Sequence, residues 1–131
     1  MLERRVGMEN QREVSIDQHT KGVILFAKRN EFEPRLRRHD MVRHEWVILI
    51  HKVQKYSMDI TSYKVTTHMS YCLTSGNIYV DVNKPGWWGD SNGYTFYEPT
   101  EEQKQMAFNI LKERNLRFIS PLNKLVPVKN D

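Results

Sequence analysis

Between Tyr63 and Leu73 the chain alternates strictly, with Val65, Thr67, Met69, Tyr71 and Leu73 on one side and Lys64, Thr66, His68, Ser70 and Cys72 on the other. A period of two over this length predicts a half-buried strand, and its Thr and Tyr content suits a pleated sheet. Ser75-Gly76-Asn77 supplies a turn signal, after which Ile78, Val80 and Val82 alternate with Tyr79 and Asp81. The economical reading is a β-hairpin.

Upstream of this hairpin the period lengthens. Val42, Trp46, Leu49, Ile50, Val53 and Tyr56 follow the offsets 0, 4, 7, 8, 11 and 14, which lie on one stripe of a 3.6-residue helix. The spacing predicts a helix over residues 36–56, with Arg43, Glu45, Lys52 and Lys55 on its wet side. Before it, the run Val23–Ala27 suits a helix or a buried strand equally, and Pro34 closes that segment.

The C-terminal third predicts a second helix over residues 101–114. Thr100 and Gln103 fit a capping box, Glu101 and Glu102 favour the positive end of the helix dipole, and Met106, Ala107, Ile110 and Leu111 form one apolar stripe. Tyr94–Tyr97 and Leu116–Ser120 read as short strands, residues 1–13 as a loose arm, and residues 121–131 as a tail along the surface. The resulting expectation is a single α+β domain over residues 14–120, in which an antiparallel sheet of about three to five strands carries both helices on one face.

Composition narrows the class. With 39% hydrophobic and 27% charged residues in 131, a packed core is expected. The longest apolar runs, Val23–Ala27 and Trp46–Ile50, fall far short of the ~20 residues of a membrane span, so no membrane partner is expected. Arg4 and Arg5 have no apolar stretch behind them, which argues against a secretory signal and for the cytoplasm. Cys72 is the only cysteine, so neither an internal disulfide nor a Cys-rich zinc site is available. No P-loop, GxGxxG or GxSxG occurs, and no cofactor is implied.

Two features point to recognition. Residues 28–55 hold eight Lys and Arg against four acids, so the local net of +4 equals that of the whole chain, and Arg35, Arg37, Arg38 and Arg43 are the candidate phosphate contacts. Pro85–Pro99 then places five of the fourteen aromatics among Gly, Pro, Asp, Asn and Ser. Trp87, Trp88 and Tyr94 are the candidate stacking residues, each stacked base contributing about 1–3 kcal/mol. Adjacent side chains in extended backbone point to opposite sides, so at most one tryptophan enters a given core. The same tryptophans suit a protein interface or a second copy of the chain. In the plain structural alternative, one of them plugs the open end of the sheet.

On the expected helix, Asp40, His44 and His51 share a stripe and form the candidate metal set. His44 and His51 lie two turns apart, about 10.5 Å along the axis, which one ion does not bridge easily. The leading functional expectation is a small non-catalytic binding module for nucleic acid. Its alternatives are a protein-interaction or self-associating module and a small metal-dependent hydrolase.

Overall fold

Trp46 to Ile50 are buried without interruption, which requires cover on both sides of whatever element they form. In the computed structural model, which describes residues 11–30, 45–55 and 62–128, that element is a central strand. The strands are β1 (Glu13–Val14), β2 (Ile24–Arg29), β3 (Glu45–Lys55), β4 (Tyr63–Cys72), β5 (Ile78–Val80), β6 (Gly86–Asp90) and β7 (Tyr94–Tyr97). Helix α1 (Glu101–Glu113), β8 (Leu116–Ile119) and β9 (Lys124–Pro127) follow. The first seven strands form one antiparallel sheet in the order β1-β7-β2-β3-β4-β5, with β6 sharing the outer edge of β4. A small sheet with two main helices is therefore incorrect: the sheet has seven strands, and α1 is the one α-helix among the described residues.

The helix expected over residues 36–56 fails over its described stretch, residues 45–55, for a readable reason. Trp46, Ile48, Ile50 and Val53 face one core, whereas Val47 and Leu49 face the other. A plain strand would put residue 53 with 47 and 49. The β3–β4 register shifts between Leu49 and Ile50 and again between Ile50 and Lys52, leaving His68 unpaired on β4 and His51 unpaired on β3. These bulges advance the phase by one residue. Residues 46, 50 and 53 then share a face at offsets of 0, 4 and 7, which imitate a helix.

The sheet is curled. Beta6 and β7 are separated in sheet order by β4, β3 and β2, about 19 Å across a flat sheet at ~4.8 Å per step. Only Ser91–Gly93 connects them, and the four Cα steps from Asp90 to Tyr94 reach at most about 14 Å. The two sides of the sheet must bend toward each other, and Trp88 of β6 meets Tyr94 of β7 with ring centroids 4.5 Å apart.

The concave face thus encloses Leu25, Ala27, Trp46, Ile48, Ile50, Val53, Val65, Cys72 and Phe96, with Trp88 and Tyr94 packed against them. The convex face, with Phe26, Val47, Leu49 and Met69, is covered by Ala107, Ile110 and Leu111 of α1 and by the β8–β9 hairpin. Alpha1 starts where its capping box places it: Thr100 Oγ1 accepts from Gln103 N and Gln103 Oε1 accepts from Thr100 N, both at 3.0 Å. Lys124–Pro127 pairs with β8 and buries Leu125, where the sequence suggests only a surface tail.

Candidate functional site

Beyond the bulges the convex face changes character. Lys52, Thr66 and Trp87 are directly opposed across β3, β4 and β6, and Gln54, Lys64 and Asp90 form the next row. Directly opposed residues share a face. Trp87 is 62% exposed at the edge of this patch, a large apolar area for an indole that has a core within reach of its own strand.

Its neighbour Trp88 took that core. The register shift between Val65 and Thr66 makes Trp88 the extra residue of β6, and its ring packs edge-on against Trp46 at 5.8 Å and near Phe96 at 6.0 Å. The opposite orientation of the two tryptophans follows from extended backbone, while the choice of Trp88 for the interior follows from the curl. Tyr94 is also interior, and burial pushes its phenol above the ordinary range despite Arg29 lying over its ring at 6.0 Å. Of the three aromatics singled out for stacking, only Trp87 presents an open ring. The Pro85–Pro99 segment consists mainly of β6 and β7 joined by a single 3-10 turn.

Beside the patch lies a cavity of about 570 Å³ lined by His51, His68, Asn83, Asn123, Lys124 and apolar neighbours, among them Pro85 two residues before Trp87. The two unpaired bulge residues form one wall. Their rings meet at 79° with centroids 5.1 Å apart, and Phe118 packs on the far side of His68 at 5.3 Å.

Hydrogen bonds set the protonation of both rings. Asn123 Nδ2 donates to the His51 carbonyl at 2.9 Å, which fixes the amide so that its Oδ1 faces His68 Nε2 at 2.9 Å. An amide oxygen only accepts, so Nε2 carries the proton and Nδ1 holds a lone pair. Nδ1 is buried and has no hydrogen-bond partner. His51 Nδ1 lies 3.2 Å from Thr66 Oγ1, whose hydroxyl points to the Lys52 carbonyl at 3.4 Å. His51 Nδ1 is then the donor and its Nε2 the free lone pair. Burial lowers the pKa of both rings, further for His51 through the charges of His68 and Lys52 and against the Asn123 hydrogen bond for His68.

Comparison with protein-family models, curated proteins and solved structures finds no match. Function must be read from the geometry.

Arg35, Arg37, Arg38 and Arg43, together with Asp40 and His44, lie outside the described residues. His51 stands on a strand, so the helical stripe that grouped it with Asp40 and His44 does not apply to it. Among the described residues no three His, Cys, Asp or Glu side chains converge in a metal-binding cluster. Cys72 is fully buried in the concave core as a packing residue. No spacing in the sequence pairs His51 with His68. The one trace is the odd step from Ile50 to Val53, which breaks an otherwise even alternation and marks a bulge.

Proposed function

We propose that this chain is a small, non-catalytic cytoplasmic binding module that engages single-stranded nucleic acid, with Trp87 as its stacking platform. The observation that carries the reading is an exposed indole on an edge strand, in register with Lys52 and Thr66 and one row from Lys64. An exposed aromatic face with lysines on the same sheet face, Lys52 beyond Thr66 and Lys64 opposite Asp90, suits an unpaired base and its phosphates, since every base has a π-face and the phosphates need only charge. Arg35, Arg37, Arg38 and Arg43 are proposed as further phosphate contacts.

The test is titration of the protein with short single- and double-stranded oligonucleotides over a range of salt. Binding of the single strand should quench tryptophan fluorescence, and Trp87→Ala should weaken it about 5- to 150-fold, the equivalent of about 1–3 kcal/mol per stacked base. Lys52→Ala and Lys64→Ala should each flatten the logarithmic salt dependence by about 0.7. Absence of any salt-dependent binding refutes the reading.

A protein partner or second copy is the competing occupant, favoured by the position of Trp87 on an edge strand. It requires concentration-dependent sedimentation that Trp87→Ala abolishes, with no response to oligonucleotides.

A further inference from the structure

We propose that His51 and His68 together bind one divalent first-row transition-metal ion, in an open site completed by water or a small ligand. The strongest ground is the division of labour within each ring. A metal-ligating histidine offers one nitrogen to the ion and donates the proton on the other to an oxygen that holds the ring in place. His68 donates Nε2–H to Asn123 Oδ1 and His51 donates Nδ1–H toward Thr66 Oγ1, so both orienting contacts exist and each ring keeps one unprotonated nitrogen.

The spacing agrees. Two imidazoles on one tetrahedral ion, each bound at about 2.1 Å, place their ring centroids roughly 5 Å apart. The observed separation is 5.1 Å. His68 is 2% exposed, and its Nδ1 has no partner, an arrangement that leaves a desolvated acceptor uncompensated. The adjoining cavity of about 570 Å³ has room for the ion and the waters that complete its shell.

No third His, Cys, Asp or Glu joins the pair among the described residues, which makes this an exchangeable site rather than a closed structural one. Imidazole ligation favours Cu²⁺, Ni²⁺ and Zn²⁺ over Mg²⁺ and Ca²⁺. The ion site adjoins the nucleic-acid patch through Thr66, which orients His51 and lies opposite Trp87, but its two ligands, His51 and His68, are not members of that patch.

The experiment is titration of the untagged, chelator-treated chain with Zn²⁺, Ni²⁺ and Mg²⁺ by calorimetry, with the histidine ring signals followed by nuclear magnetic resonance. We expect one Zn²⁺ or Ni²⁺ per chain, shifts in the ring signals of His51 and His68 but not of the exposed His19, and no response to Mg²⁺. His51→Ala should abolish saturable binding. Thr66→Val, which removes only the contact that orients His51, should weaken it about 10- to 100-fold. The assignment is overturned if native protein shows no saturable Zn²⁺ or Ni²⁺ binding, or if His51→Ala binds as well as the native chain. Because His51 is only half-buried, loss of fold does not confound that variant, and a circular dichroism spectrum checks it.

Discussion

Trp87 and Trp88 are adjacent in sequence and opposite in consequence, so truncating each to alanine separates packing from recognition. Trp88 touches Trp46, Tyr94 and Phe96 at ring-centroid distances of 5.8, 4.5 and 6.0 Å and joins the two sides of the curled sheet. Removing a buried Trp or Phe costs about 3–5 kcal/mol, and because Trp88 is half-buried the lower end, about 3 kcal/mol, applies. At about 4 °C per kcal/mol for a domain of this size, Trp88→Ala should melt about 12 °C below the native chain. Trp87 is 62% exposed and leaves no cavity, so Trp87→Ala should cost at most about 1 kcal/mol, chiefly in strand propensity. Denaturant and thermal unfolding followed by far-ultraviolet circular dichroism reads both. If Trp87→Ala proves as destabilising as Trp88→Ala, or Trp88→Ala melts within about 2 °C of native, the curled sheet closed by Trp88 is wrong.

Two further outcomes follow from individual contacts. Both His51 and His68 have folded-state pKa values below the ordinary 6.5, so at acid pH the unfolded chain binds protons that the folded chain refuses. Their linkage leaves stability flat above about pH 7 and erodes it as pH falls through 6.5 toward the lowered folded values, and in pH-dependent urea melts His51→Gln should lessen that loss. Thr100→Ala removes the hydroxyl that accepts from Gln103 N at 3.0 Å and should cost about 1 kcal/mol in chemical denaturation, whereas Thr100→Ser should cost well under half of that.

What was legible in the chain is what local chemistry decides. The capping box of α1 lies within four residues of sequence, and β4 and β5 follow from alternation on either side of the Ser75-Gly76-Asn77 turn. Neighbouring tryptophans must diverge in extended backbone, and they do. The errors share a non-local cause. A bulge is visible only through the partner strand, so the phase slip at His51 reads as helical spacing until β4 is laid beside β3. The same slip at His68 sends Val65 to the concave core and Met69 to the convex one, although their even spacing puts them on one side. Leu125 is one of several apolar residues in its stretch, beside Leu122, Val126 and Val128, and nothing local says that it is the one that joins the core with α1 and the sheet. The candidate site inherits this difficulty, since Lys52, Thr66 and Trp87 come from three strands, and β6 pairs with β4 rather than with its sequence neighbour β7.

The bulges themselves have a mechanical reason. An extra residue on one strand sharpens the local twist and bends the strand, and this sheet must bend strongly for a three-residue link to join β6 to β7. That reason accounts for the positions of the three extra residues, His51, His68 and Trp88, and for the identity of Trp88, whose ring fills the concave interior. It does not account for histidine at the other two. A leucine or phenylalanine at position 68 would fill the space beside Phe118 without leaving a buried nitrogen uncompensated, an omission that costs about 1–3 kcal/mol. Curvature needs a bulge, but not a lone pair in the bulge. The hydrogen bond from His68 Nε2 to Asn123 gives position 68 one polar task, and the lone pair on Nδ1, faced by a second imidazole, is what the proposed ion would use.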